Sequence, residues 1–172
     1  CEHEIAYVGN NYGRFDQTCE FLNIDRDAFQ VEFWGNWLEK GDGRESPGEV
    51  SQRLSHAHFH SRIPNHLVRN TLFNSYATIH LCKDSYAERG FITMRWAEAA
   101  SVGTIGFIPA MFKLPRKWYN HFSKLGLIVH DAEDVVKHMN EFISTPGKYE
   151  EAIAAQREFV HQIMRQEDWN IL

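Results

Sequence analysis

The segment GFITMRWAEAASVGTIGFIP, Gly90 to Pro109, sets one carboxylate, Glu98, in an otherwise apolar run of helical period. The run breaks at Gly103 and re-enters as the short apolar stretch Thr104 to Pro109. A helix that opens after a glycine-containing loop offers its first unpaired N–H groups and its dipole to an anion, and a diphosphate suits both. A carboxylate about one and a half turns further in can accept hydrogen bonds from vicinal hydroxyls, as an acidic residue does with ribose in dinucleotide sites. Thr93 reads as the N-cap of this helix, and Gly90 either as a place where backbone approaches a ligand with no Cβ in the way or simply as the cap of a turn. The spacing supports a second use as well: Arg95, three residues before Glu98, makes an exposed ion pair worth about 0.3 to 0.5 kcal/mol.

A second cluster is imidazole. His56, His58 and His60 alternate along HAHFH, with His66 nearby, and such a set binds zinc if a third or fourth ligand converges on it from elsewhere. No cysteine pair accompanies them. Trp34, Trp37, Trp118 and Tyr119 are large enough to stack on bases, but at this density aromatics more often fill a core or an interface. Pro115-Arg116-Lys117 followed by Trp118 reads as a small basic and aromatic cluster in a loop after a strand, suited to an acceptor or domain contact.

These residues need a scaffold, and the pattern supplies one. Short runs rich in β-branched and aromatic residues predict strands at Glu4–Gly9, Phe29–Trp34, Ala57–Ser61, Ala77–Cys82, Thr104–Pro109 and Leu127–His130. Segments of helical period alternate with them, which predicts an α/β fold: a doubly wound, Rossmann-like parallel sheet of about six strands. Ser46-Pro47-Gly48-Glu49 is a capping box with Pro at the first helical position. Asp131 opens a helix to about Ile143, and Lys148 to about Arg165 forms the last, with Tyr149, Ile153, Phe159 and Ile163 on its inner face. In such sheets ligands bind beyond the carboxyl ends of the strands. The loops of interest are therefore Asn10–Gly13, Gly35–Asp42, Arg62–Asn65, Lys83–Thr93 and Ala110–Arg116. Lys40–Pro47 reads as a surface loop.

Bulk properties narrow the class. At 172 residues and 43% hydrophobic content the chain is expected to form a single domain over 1–172. A net charge of −5 gives no overall field for holding nucleic acid or an anionic membrane, so no direct nucleic-acid partner is expected. Cys1, Cys19 and Cys82 are an odd number without a framework spacing, which predicts free thiols and a reducing, cytoplasmic setting. No apolar run approaches the roughly 18 residues of a membrane span. A start at Cys1 rather than Met suggests a piece of something longer.

The order loop, helix with an internal Glu, small residues, Gly-Thr and strand, here Gly90, Phe91, Thr93, Glu98, Ala99, Ala100, Gly103 and Thr104, resembles the donor-binding, C-terminal domain of group 1-like glycosyltransferases of the GT-B architecture. The resemblance implies that Glu98 holds the ribose of a nucleoside diphosphate sugar and that backbone around Phe91, Ile92 and Thr93 takes the diphosphate, with Tyr86 and Gly90 in the same loop. HSRIPNHLVRNTLFNSYATIHLC resembles the family segment bordering the base, which implies Arg62, Ile63 and Pro64 there. IAYVGNNYGRFDQTCEFL resembles the first strand and loop, and implies Arg14 at the phosphates. Two positions depart from the pattern. Gly90 stands where many retaining members carry a second Glu, and Arg14 is alone where a basic pair is usual. The implied activity is glycosyl transfer, hexosyl or related, from a nucleotide sugar with no other cofactor. The acceptor and any general base would sit on an N-terminal domain absent from this chain, so no catalytic residue is assigned. Base, sugar, acceptor, stereochemistry and oligomeric state are not set by these residues. Two alternatives stand beside this reading: a non-catalytic nucleotide-binding domain, and metal binding at His56, His58 and His60.

Overall fold

The computed structural model describes residues 3–11, 13–39 and 45–165. Cys1, parts of the loops Asn10–Gly13 and Gly35–Asp42, and most of Lys40–Pro47 lie outside them. Six strands, β1 (His3–Val8), β2 (Val31–Trp34), β3 (His58–His60), β4 (Ser75–Ile79), β5 (Ile105–Pro109) and β6 (Ile128–Val129), alternate with helices. They form one parallel sheet in the order β3-β2-β1-β4-β5-β6. Every predicted strand is present within two residues of its expected start. The runs lack alternation because both faces are covered, and all five residues of β5 are buried.

The helices are α1 (Phe15–Leu22), α2 (Pro47–Arg53), α3 (Asn65–Phe73), α4 (Asp84–Arg89), α5 (Met94–Val102), α6 (Arg116–Leu125), α7 (Ala132–Ser144) and α8 (Lys148–Arg165). Right-handed crossovers place those wound toward β3 and those wound toward β6 on opposite faces. Accordingly α1 packs with α7, while α3, α5, α8 and α6 form a contiguous layer on the other side. The predicted capping box is complete: Ser46 N donates to Glu49 Oε2 at 2.7 Å and Glu49 N to Ser46 Oγ at 3.3 Å. Asp131 caps α7 through a hydrogen bond from Asp134 N at 2.9 Å.

Two local expectations are corrected. Lys83–Thr93 is not all loop, since it contains α4, whose only buried residue, Ala87, leaves no periodic signal to read. Pro115 to Trp118 is not a loop either. Pro115 is the N-cap of α6, and Trp118 is 7% exposed, packed on Phe159 at 4.8 Å between ring centroids.

Candidate functional site

Strand order reverses between β1 and β4, so the loops after these two strands diverge and leave a crevice. After β1 the chain is fastened to the β2 loop. Gly9 N donates to Trp34 O at 3.0 Å, Trp37 Nε1 to Gly9 O at 2.7 Å and Asn36 N to Asn10 Oδ1 at 2.9 Å. Asn11 is 2% exposed; its amide donates to Glu45 Oε2 at 2.9 Å, and its Oδ1 has no partner among the described residues. Arg14 ends this loop, half-buried, with its Nη1 donating to the Tyr7 hydroxyl at 2.8 Å. Burial pushes the Tyr7 phenol up from its ordinary value, against the smaller opposing effect of Arg14, so the acceptor is neutral. Among the described residues the buried Arg14 Nε has no partner and no carboxylate pairs with the guanidinium. Among the described residues, this positive charge at the crevice has no counter-ion.

Across the crevice, β4 ends and His80 follows, 2% exposed. Its Nε2 lies 3.3 Å from Phe91 O and its Nδ1 3.2 Å from Thr93 Oγ1. Desolvation lowers the imidazole pKa to about 4, the Phe91 carbonyl opposing and Arg14 adding to the effect, so the ring is neutral at neutral pH. Thr93 is the N-cap of α5, as expected, but its side chain makes no capping bond. The N–H groups of Trp96 and Ala97 bond to Thr93 O at 3.1 and 3.2 Å, while those of Met94 and Arg95 have no acceptor among the described residues. These two donors point out of the start of the helix, where an anion is favoured.

Gly90 closes α4 in the left-handed region, φ 70°, and a Cβ there would lie 2.3 Å from Lys113 O. The missing side chain is thus used by the fold itself, to let α4 meet the loop after β5. Gly90→Ala is expected to cost roughly 2 to 4 kcal/mol from the strained dihedral and the clash together, measured by urea unfolding. A cost near zero would show that the loop simply shifts away.

Glu98 forms the ion pair that its spacing suggested. Its Oε2 accepts from Arg95 Nη1 at 2.7 Å, and Arg95 Nη2 reaches Asn65 Oδ1 at 3.2 Å. The ion pair is therefore anchored to the loop after β3, where Arg62, Ile63, Pro64 and Asn65 line a shallow hollow of about 290 Å³. Tyr86 is exposed on α4, edge-on to Phe91 at 5.8 Å. Ile92 packs against the core, and Arg62 is exposed. Arg14, Phe91 and Thr93 thus gather around His80, and Glu98 borders the hollow through Arg95. A larger hollow, about 530 Å³, lies between α1 and α2 against Asp16, Cys19 and Arg53.

The histidine cluster does not assemble. Only His58 and His60 lie on β3, and each is engaged: His60 Nε2 is 3.0 Å from Glu32 Oε2 and its ring stacks on Trp34 at 3.8 Å, while His58 Nδ1 is 3.3 Å from Gln30 Nε2. Among the described residues no three His, Cys, Asp or Glu side chains converge as metal ligands would.

Residues 17–166 match the sequence profile of a family described as glycosyl transferase-like. The chain belongs to this family. Solved structures agree on the fold. The glycosyl transferase-like chain superposes on a DNA-modifying β-glucosyltransferase, studied with and without uridine diphosphoglucose, with a TM-score of 0.71 at 18% identity, over 94% of this chain and 47% of that one. Phage T4 BGT in complex with UDP and Mn²⁺ gives 0.72 at 18%, over 94% and 44%. The catalytic domain of a Helicobacter pylori cholesterol-α-glucosyltransferase gives 0.64 at 14%, over 95% and 99%. The chain spans less than half the length of the first two. No curated protein matches it. The sheet and its helices are those of a GT-B glycosyltransferase domain.

Sequence reasoning missed three residues of this glycosyl transferase-like crevice: His80, Asn11 and Tyr7. The available signal for His80 was a lone imidazole near the carboxyl end of the apolar run ATIHLC, where a buried polar group needs partners.

Proposed function

We propose that the chain is the donor domain of a glycosyltransferase, binding a nucleoside diphosphate sugar at the crevice between β1 and β4. The observation that carries this is Arg14: a guanidinium that, among the described residues, has no counter-ion, across the crevice from two N–H groups at the start of α5 with no acceptor among the same residues. A diphosphate satisfies both, and the same donors stabilise it as it departs during transfer. Glu98 then accepts from the ribose hydroxyls, and Arg62, Ile63 and Pro64 flank the base. Tyr86, Gly90, Phe91, Ile92 and Thr93 form the loop beside the phosphates and the sugar.

The complexes of the similar structures favour a uridine nucleotide and a glucosyl donor. The acceptor and the remaining catalytic groups belong to a facing domain, which the partial coverage of the T4 enzyme supports. On this chain, departure of the diphosphate draws on Arg14 and backbone N–H groups in this reading, with the nucleotide sugar as the small-molecule partner. The free thiols Cys19 and Cys82 favour a reducing, cytoplasmic setting, and among the described residues no helix is long and apolar enough to cross a membrane.

A thermal-shift panel of uridine, guanosine, adenosine and thymidine diphosphates tests the reading. One of them should raise the midpoint of the chain. Glu98→Ala, which removes a charge-assisted hydrogen bond of about 1.5 to 3 kcal/mol, should weaken that nucleotide roughly ten- to a hundredfold. Equal affinity in the variant would remove Glu98 from the site.

A further inference from the structure

One side chain ties the crevice together without any part in the donor contacts proposed above. His80 is 2% exposed, its backbone N–H donates to Phe107 O at 2.8 Å, and its ring sits edge-on to Phe112 at 4.7 Å. The ring is thereby fixed to the sheet. Its hydrogen bonds define its tautomer. A carbonyl oxygen only accepts, so the Nε2 facing Phe91 O carries the proton, and Nδ1 is left as the acceptor for the Thr93 hydroxyl. That hydroxyl has one proton to donate, and it goes to the imidazole. A threonine N-cap ordinarily turns its oxygen onto the first turn of its own helix. Here the oxygen is held on His80 instead, and the Met94 and Arg95 N–H groups have no acceptor among the described residues.

Resting on the donor reading above, we propose that His80 is a positioning residue: it fixes the Phe91 to Thr93 backbone and takes the Thr93 hydroxyl proton, so that backbone N–H groups and Arg14, not Thr93 Oγ1, receive the diphosphate. The neutrality that burial imposes on the ring keeps Nδ1 an acceptor at neutral pH. Thr93 then influences the ligand only through His80.

A double-mutant cycle on the full chain tests this, using whichever of the four nucleoside diphosphates raises the wild-type midpoint. His80→Phe keeps the bulk and the packing on Phe112 but deletes both hydrogen bonds. Thr93→Val deletes one of them at nearly constant volume. Each single variant is expected to weaken the nucleotide by roughly tenfold, and the double variant by no more than the worse single, because both act on one hydrogen bond. His80→Gln, which retains an N–H for Phe91 O, should recover part of the loss, a rescue that a merely space-filling role does not predict. If His80→Phe fails to melt cooperatively, His80→Gln with and without Thr93→Val carries the same cycle. Multiplying losses would make Thr93 a direct ligand and overturn the proposal, as would wild-type affinity in His80→Phe. A wild-type chain that responds to no nucleotide overturns the donor reading itself, and this inference with it.

Discussion

Alanine at position 96 is expected to lower the unfolding free energy by about 3 to 5 kcal/mol, and to abolish nucleotide binding with it. Trp96 is 1% exposed, and its Nε1 donates to Gly106 O at 2.9 Å in the buried middle of β5. The ring lies where a side chain on β5 would otherwise stand: a Cβ on Gly106 would come within 2.4 Å of Nε1. Helix α5 therefore rests on the sheet through this indole, which Phe159 meets edge-on at 5.9 Å. Truncation leaves a cavity and orphans a buried carbonyl. The loss is about a fifth or more of the roughly 5 to 15 kcal/mol that holds a domain together. Arg95 and Glu98 flank the indole on the same helix, and Thr93 caps it, so the site loosens along with the core. Trp96→Phe should cost less, about 1 to 3 kcal/mol, since most of the volume stays and only the donor goes. Urea unfolding of both variants decides the matter. A cost under about 1.5 kcal/mol for alanine would mean that α5 settles onto β5 without its indole.

The second large effect is a loss of stability in mild acid that one residue dominates. His80 in the unfolded chain takes up a proton below about pH 6.5, whereas in the folded chain burial and the Arg14 charge hold its pKa near 4. The unfolded state thus binds more protons throughout that window. Stability from this group is fully present above about pH 6.5, falls as pH drops toward 4, and the total loss is roughly 3 kcal/mol. Asp134 and Glu141, lowered chiefly by hydrogen bonds from His130 and Lys148, weaken the fold at more acidic pH, and being partly exposed they count for less. Urea midpoints at pH 7 and pH 4.5 for wild type and His80→Phe isolate the histidine: the wild type should lose much more. Equal losses would show that the folded chain accommodates a protonated ring at this position.

The sheet was legible because its strands are short runs rich in β-branched and aromatic residues and its helices announce their ends, as Ser46 and Asp131 do. Short polar α4 was not, since six residues with one buried alanine have no period to detect. The candidate site was legible where a helix start and an internal carboxylate share one segment, Thr93 to Glu98. Spacing alone left an ion pair and a ribose contact as rivals for Glu98, and the fold puts the ion pair at the edge of the proposed base hollow. For Gly90 the sequence leaves room for a ligand and a turn cap as rivals, and its φ of 70° against Lys113 O accounts for it as the turn. His80 escaped because its partners lie 11 and 13 residues away, beyond α4, where no spacing rule reaches. Asn11 escaped similarly: its partner Glu45 comes from another loop, 34 residues on.

Helix α8 completes the support of β5 late in synthesis. Gln156, 0% exposed on α8, accepts from Gly106 N at 2.6 Å and donates to Thr104 O at 3.2 Å, while Tyr149 and Arg157 reach the carbonyls of Gly103 and Ala100. Fifty residues separate Gly106 from Gln156, which at about 5 to 20 residues per second is roughly 3 to 10 s of synthesis. Throughout that interval the nascent chain already contains the whole crevice, yet the end of α5 and the start of β5 lack the partners that hold them. A ribosome stalled before α8 should therefore display a protease-sensitive, chaperone-bound intermediate, and the proposed nucleotide binding is expected only once α8 has emerged.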